Sequence, residues 1–459
     1  MVTVVVGAGK TGLSCIRYFR RYHPSLALRV LDSREHCPGI ADIKKQYPDI
    51  PVMCGPFEPR HFADAQRVVL SPGVQHWAEK IKTWVAPTVL VTGDLDLFAE
   101  AIVGHGIATI GVTGSNGKST VTTLVGEILR AQGEDCLVGG NLGTPALDLL
   151  PAPGGPWPRI IVLELSSFQL AITQQLPLTV ATILNLSPDH IDYHGSEAAY
   201  AEAKSRIFRT AGYAVVNRDA PNLTPYIPHD IPEIRFGLSS PEKASDFGLI
   251  MDATGDTWLC QGKKRLLNAN ILPLSGTHNV ANVLAALALV ARLSPTGQIE
   301  NMAGAVHGVM AFKGLPHRCQ WVRTINGVPW INDSKGTNVG ATEQALYGLG
   351  KSIPGKWILI AGGDGKGADF STLLPVLRQY VKAVILFGKD KTIMESVFKT
   401  LVPCYLCATL EEAVSCAHRL SKTGEGVLLS PACASLDMFI NYEARGHLFV
   451  EYVEALPEK

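Results

Sequence analysis

Thr113-Gly114-Ser115-Asn116-Gly117-Lys118-Ser119-Thr120 follows an apolar run, Ile107 to Val112, and opens a helical pattern from Thr120 to Arg130. A strand, a glycine-rich turn and a helix in that order make a cradle for the phosphates of a nucleotide. The glycines let backbone N–H groups come close, and the helix N-terminus contributes partial positive charge. Lys118 supplies a full charge, and the Ser119 hydroxyl is a ligand for Mg2+. The usual nucleotide-binding pattern spans six residues from its first glycine to its second, which would place a glycine at 112, where this chain has Val112. The loop is therefore a close-spaced variant built on Gly114 and Gly117. Read instead as a plain turn capped by Ser119, it leaves Lys118 without a task.

The stretch belongs to a long α/β chain. At 459 residues there is too much sequence for one ordinary core, and about three domains are expected. Apolar runs alternate with helical patterns almost throughout: Val2–Val6, 68–70, 107–112, 160–165, 181–185, 357–361, 383–387 and Gly426–Leu429. That alternation predicts parallel sheets with crossover helices. Residues 151–158, rich in proline and glycine, read as a surface loop. Residues 236–273, with turns at Gly255-Asp256 and Gly262-Lys263, predict an antiparallel patch, a small side sheet. Ser275-Gly276-Thr277 reads as a cap for a helix over 278–293. Boundaries near Phe98 and Phe312–Gly314 give domains 1–97, 98–313 and 314–459.

Lys+Arg and Asp+Glu are both 41, so no net field points to nucleic acid or an anionic membrane. No apolar run is long enough to span a bilayer, and the N-terminus reads as a strand, not a signal peptide. The ten cysteines are scattered. Cys404-Tyr405-Leu406-Cys407 has no second pair, so buried thiols are expected there, and the chain reads as cytoplasmic.

A second glycine loop, Gly7-Ala8-Gly9-Lys10-Thr11-Gly12, follows the first strand, and Asp32 closes the next. The glycines suit a diphosphate and the acid a ribose hydroxyl, so a dinucleotide and a UDP-sugar both fit. Ser71-Pro72-Gly73 would line the same crevice. Glu164 ends a strand, and His190 follows another, at the edge where α/β folds bind ligands; a carboxylate there suits Mg2+. Three further polar turns follow strands near the C-terminus: 332–338, 361–367 and 430–437. They suggest a second substrate site, with Lys366 facing a carboxylate and Arg318 within reach of a phosphate.

Together these stretches resemble the Mur ligase family along essentially the whole chain. The resemblance rests on 9–14, 113–123, Leu163 to Leu170, His278-Asn279, 314–318, 330–340, 362–366 and 429–437, and the family's close-spaced loop accounts for Val112. It implies an N-terminal Rossmann-like domain, a central P-loop-type ATPase domain and a C-terminal Rossmann-like domain. The activity implied is ATP- and Mg2+-dependent amide ligation through an acyl phosphate, most closely of D-glutamate to UDP-N-acetylmuramoyl-L-alanine, by a monomer. It also implies residue roles. Gly114, Asn116, Gly117, Lys118, Ser119 and Thr120 would hold ATP, with Asn279, Asn282, Arg318 and Asp333 on the nucleotide. Ser119, Glu164, His190 and a carbamylated Lys204 would serve the metal; without the resemblance, Lys204 reads as a solvated helix lysine. Lys10, Thr11, Ser14, Asp32, Ser33, Arg34, Gly73 and Asn141 would surround the UDP-sugar. Thr337, Lys366, Ser435, Leu436 and Tyr442 would bind D-glutamate, with Tyr442 where the family carries phenylalanine and Gly336 in place of a common alanine. Rivals are an NAD-dependent enzyme using the first loop, a ligase for another amino acid or for folate polyglutamate, and a nucleotide-gated binding protein.

Overall fold

In the computed structural model the first apolar runs become β1 (Val2–Val6), β2 (Leu28–Asp32), β3 (Val52–Cys54), β4 (Ala65–Leu70) and β5 (Leu90–Gly93). They form a five-stranded sheet, order β3-β2-β1-β4-β5, parallel at every pair. All of β1 is buried, because helices cover both faces of a parallel sheet and leave no polar side. The structure describes every residue except Met1, His36, Cys37, Pro38, Ser275, Lys351 and Lys459, and at Gln75, His76 and Asp192 the backbone alone. The proposed cap residue Ser275 thus lies outside the described residues.

The second sheet has nine strands: β6 (Ala108–Thr113), β7 (Cys136–Gly140), β8 (Ile160–Glu164), β9 (Val180–Ile183), β10 (Ala214–Asn217), β11 (Glu233–Phe236), β12 (Phe247–Met251), β13 (Thr257–Gln261) and β14 (Lys264–Asn268). Their order is β14-β13-β12-β11-β10-β9-β6-β8-β7. The antiparallel patch expected over 236–273 is present in the β12–β13 pair, but it is not a side sheet. Phe236 of β11 pairs in parallel with Phe247 of β12, so the patch extends the edge of the main sheet. Hydrophobic alternation showed the strands; it carried no information on which edge they join.

The third sheet comprises β15 (Gln320–Ile325), β16 (Val328–Asn332), β17 (Trp357–Gly362), β18 (Val381–Phe387), β19 (Cys404–Leu406) and β20 (Gly426–Leu429), in the order β15-β16-β20-β17-β18-β19. Only the β15–β16 hairpin is antiparallel among its described pairs.

Two compact units emerge. One holds Met1–Leu186, His190–Leu267 and Val283–Val309; the other holds Ser187–Asp189, Asn268–Asn282 and Met310–Lys459. The first two sheets share the first unit. Cys15 and Phe19 pack in one buried cluster with Phe98, Leu147 and Leu163. Phe98 itself lies within the helix Asp94–Ile102, so the chain leaves the first sheet through a buried helix instead of an exposed linker. No described helix is long and apolar enough to cross a membrane.

Candidate functional site

The phosphate-type loop joins β6 to the helix Lys118–Ala131, with Gly117 at the N-cap in the left-handed region (φ 82°). Register decides what surrounds it. Val112 of β6 and Gly140 of β7 both pair with Glu164, so this carboxylate emerges at the C-terminal edge beside the loop. Glu164 is buried and accepts a short hydrogen bond from the buried Ser119 hydroxyl. Its other oxygen accepts from Asn141 Nδ2 at 2.6 Å, and Asn141 N donates to Glu164 O at 2.8 Å. Asn141, expected against the UDP-sugar, thus also orients the carboxylate expected to serve the metal.

Lys118 Nζ donates to the carbonyls of Gly114 and Ser115, both at 2.9 Å. Asn185, at the end of β9, clamps the loop from the other side: its Oδ1 accepts from Asn116 N at 2.8 Å and its Nδ2 donates to Asn116 O at 3.1 Å. Ser115 N also donates to Asn185 O, at 3.0 Å, so the loop backbone and the Lys118 ammonium are all held by protein acceptors. Thr120 is buried in the first turn of the same helix.

Lys204 is not the solvated lysine of the unaided reading. It is 1% exposed, donates to Gly114 O at 2.9 Å and Thr113 Oγ1 at 3.3 Å, and lies 4.7 Å from the Tyr200 ring centroid. Tyr200 OH in turn meets Ser115 Oγ at 3.0 Å. The Lys204 ammonium is thus directed at the base of the phosphate loop. Tertiary packing buries it, and helical periodicity around 204 gives no sign of this. His190, the N-cap of the short helix Ile191–His194, packs with its ring tilted at 58° against Phe168, centroids 4.7 Å apart; Phe168 follows β8 and Glu164.

At the first glycine loop a Cβ on Gly12 would fall 1.9 Å from Gly7 O, so the turn closes only with glycine there. Asp32 is buried and accepts from Ala8 N at 2.9 Å, while Arg34 binds both its carboxylate oxygens at 2.9 Å. Asp32 therefore braces the loop, and Ser33 follows it. Lys10 donates to Gly143 O at 2.6 Å; Thr11 is half-buried and Gly73 exposed. Ser14 is buried within the helix Lys10–Tyr22.

The second unit carries the remaining expected residues. Asn279 and Asn282 lie on the helix Thr277–Ala291, with Asn282 Nδ2 donating to Asn279 Oδ1 at 3.2 Å. Asp333 is buried after β16; it accepts from Ser430 Oγ at 2.7 Å and from Cys319 N at 3.1 Å. Burial pushes its carboxyl pKa up to about 6 against these hydrogen bonds and the neighbouring Arg318 charge. Thr337 and Lys366 occupy the polar turns after β16 and β17. Lys366 is exposed and adopts a left-handed φ of 52°. Ser435 is buried and Leu436 71% exposed in the turn after β20.

These three turns are one assembly. Ala432 N donates to Gly336 O at 2.9 Å, and Asp364 and Ala434 exchange backbone bonds at 3.0 and 2.9 Å. A residue that sequence reasoning missed locks them. Arg445 is fully buried and donates to Ser334 Oγ at 3.0 Å, to Ser334 O at 2.8 Å, to Cys433 O at 3.3 Å and to Gly362 O at 3.5 Å. Burial lowers its pKa to about 10. In Tyr442-Glu443-Ala444-Arg445 nothing distinguishes it from a solvated helix arginine.

The chemistry available is phosphate binding at one set of strand ends and recognition of a polar, charged molecule at another. Among the described residues no three His, Cys, Asp or Glu side chains form a metal-holding group. The oxygen set Ser119 and Glu164 suits Mg2+, which takes one or two protein oxygens plus phosphates and water.

Comparison with known proteins gives three family matches in tandem: the Mur ligase MurD-like N-terminal domain over 1–93, the Mur ligase middle domain over 112–290, and the Mur ligase glutamate ligase domain over 317–433. The chain is 45% identical to UDP-N-acetylmuramoylalanine–D-glutamate ligase of Nitrosococcus oceani, covering 99% of this chain and 96% of that protein. It is also 45% identical to the ligase of the same name from Pseudomonas aeruginosa, covering 99% and 98%. Among solved structures it resembles UDP-N-acetylmuramate–alanine ligase of Thermotoga maritima (TM-score 0.61, 19% identity, 99% of both chains). It also resembles the MurF ligase of that organism in complex with ADP (TM-score 0.62, 18% identity, 93% and 95%).

Proposed function

From the premise that this chain belongs to the Mur ligase family, we propose that it ligates D-glutamate to UDP-N-acetylmuramoyl-L-alanine with ATP, in peptidoglycan precursor synthesis. Relatives of that name match it over nearly their whole length. The first glycine loop then belongs to a ligase domain and not to a nicotinamide enzyme. The observation that carries the reading is the fixed cradle of Lys118, Ser119 and Glu164 at the end of β6 and β8.

In this reading residues 1–97 bind the UDP-sugar, 98–313 bind ATP, and 314–459 bind the amino acid, in a cytoplasmic monomer. Lys118, Ser119 and Thr120 hold the ATP phosphates, with Gly114, Asn116 and Gly117 shaping the loop around them. Asn279, Asn282, Arg318 and Asp333 contact the nucleotide. Ser119, Glu164 and His190 would hold Mg2+, which would supply charge neutralisation on the phosphates. Lys204, carbamylated, would become an anion able to serve a second ion.

A carboxylate oxygen of UDP-N-acetylmuramoyl-L-alanine attacks the γ-phosphorus. The bond to ADP breaks and an acyl phosphate forms. Carboxylates are poor electrophiles, and phosphorylation gives this one a leaving group. The deprotonated amine of D-glutamate then attacks the acyl carbon, and phosphate departs from the tetrahedral intermediate. The chain's share is positioning and charge neutralisation. Phosphate release with UDP-N-acetylmuramoyl-L-alanine, ATP and a panel of amino acids tests this. Release that depends on D-glutamate is expected; release driven by another amino acid would overturn the substrate.

A further inference from the structure

We propose that the groove between the edge strand β19 and the helix Leu410–Leu420 docks an extended segment of another protein, laid antiparallel to β19, with the pattern base–x–apolar–x–acid. β19 ends the third sheet and, among the described strands, pairs only with β18. Register fixes which of its backbone groups are used. Val384 N donates to Pro403 O and Cys407 N to Leu386 O, each at 2.9 Å, so residues 403, 405 and 407 turn inward. The N–H and C=O groups of Cys404 and Leu406 therefore point out of the sheet, where a further strand would meet them. Tyr405 is 38% and Leu406 45% exposed on this edge.

The helix supplies the side chains. It leads from the end of β19 to the start of β20 in a sheet where these strands run parallel, so it is antiparallel to β19. A groove of about 640 Å³ lies along the two, with Glu411, Cys416 and Arg419 on its helix side. Cys407 and Cys416 are the buried, apolar members of its lining. Glu411 and Arg419 are exposed and form no ion pair or side-chain hydrogen bond among the described residues. Glu412 differs, since its carboxylate already accepts from Ala408 N at 2.8 Å. The helical rise sets Glu411 and Arg419 about 12 Å apart. In an extended chain, positions i and i+4 stand about 13 Å apart on one face, with i+2 between them on the same face. Pairing i+2 antiparallel with Tyr405 puts that side chain over the groove, the base at Glu411 and the acid at Arg419. The two x residues then exchange backbone hydrogen bonds with Cys404 and Leu406. Opposite charges at the two ends set the direction of the guest, and a uniformly basic or acidic segment would meet one like charge.

Fluorescence anisotropy of a labelled peptide, Gly-Lys-Thr-Leu-Thr-Glu-Gly, titrated with the full chain tests the proposal. A Kd of about 10–100 μM is expected. Glu411→Lys and Arg419→Glu should each weaken binding about 10-fold. The double variant should instead prefer Gly-Glu-Thr-Leu-Thr-Lys-Gly by about 10-fold. Gly-Lys-Pro-Leu-Pro-Glu-Gly lacks both amides that face β19 and should not bind. Leu406→Pro removes an outward donor without touching the β18 ladder and should also weaken binding about 10-fold. An unchanged melting temperature shows that each variant is folded; if Leu406→Pro unfolds, the proline peptide decides. Absence of saturable binding, equal binding of the proline peptide, or a Kd indifferent to both charge reversals would overturn the proposal. So would a chain that is dimeric by light scattering and monomeric as Leu406→Pro, because a second copy would then hold this edge.

Discussion

At the scale of single residues, the site separates groups that act from groups that hold. Lys118 is a group we propose to act: its ammonium donates to the Gly114 and Ser115 carbonyls, which phosphate oxygens would replace. Lys118→Ala should lower kcat by roughly 10³-fold, the loss typical of deleting one preorganised charge, with little change in melting temperature. Near-parental turnover in a phosphate-release assay would remove it from the ATP site. Arg445 is a group that holds. Replacing it by methionine strips donors from Ser334, Cys433 and Gly362 and should destabilise the second unit by about 2–5 kcal/mol, read by chemical denaturation. The two residues also mark what a sequence can disclose. Lys118 was legible because its role depends on neighbours in the chain, Gly114 to Ser119. Arg445 was not, because its partners lie 12 to 111 positions away. Lys204 fell between: the family resemblance implied a role, while its burial came only from packing.

At the scale of elements, strand positions were read closely because apolar runs in parallel sheets are continuous. Gly426–Leu429 is a strand at the expected residues, and β6 begins one residue later than the run at 107. Sheet edges were not legible, as 236–273 shows, since pairing partners leave no trace in local alternation. Helix contacts were equally hidden. Gly308, in the helix Met302–Ala311, faces Ile128 of the helix that starts at the phosphate loop. A Cβ there would lie 2.6 Å from Ile128 Cα, a backbone atom that cannot swing aside. Gly308→Ala should therefore cost about 1–3 kcal/mol despite its better helix propensity. Because the displaced helix carries Lys118 and Ser119, the KM for ATP should rise as well. A stabilised Gly308→Ala variant in thermal denaturation would show that the two helices can part without penalty.

At the scale of the whole molecule, each unit buries a carboxyl whose pKa is raised to about 6, Asp94 in the first and Asp333 in the second. Desolvation is the leading cause in both. A carboxyl with a folded pKa above its unfolded value of 3.8 adds stability that is full below 3.8 and is lost as pH rises through about 6. In the second unit an opposite effect offsets this. His278 is held neutral, its pKa lowered to about 4 by burial, and His317 is lowered too. Such histidines favour the folded state above 6.5 and lose that advantage as pH falls. The first unit has Asp96 raised beside Asp94, which acts in the same direction. Asp94 opens the helix Asp94–Ile102, and its carboxylate takes a hydrogen bond from Gln169, just beyond the Glu164 strand. Asp96 accepts from Gln174 N and Gln175 N, so both acids fasten the first sheet's last helix to the second sheet's domain. Lowering pH from 8 to 5.5 should therefore stabilise the first unit and leave the second nearly unchanged. Calorimetry should show only one of two transitions moving upward. Asp94→Asn should flatten that response, stabilising the first unit by roughly 1–3 kcal/mol at pH 8 and by almost nothing at pH 4. An Asp94→Asn variant that follows the parent across the whole range would mean that this carboxyl stays ionised in the fold, and that the joint between the first two sheets is indifferent to its charge.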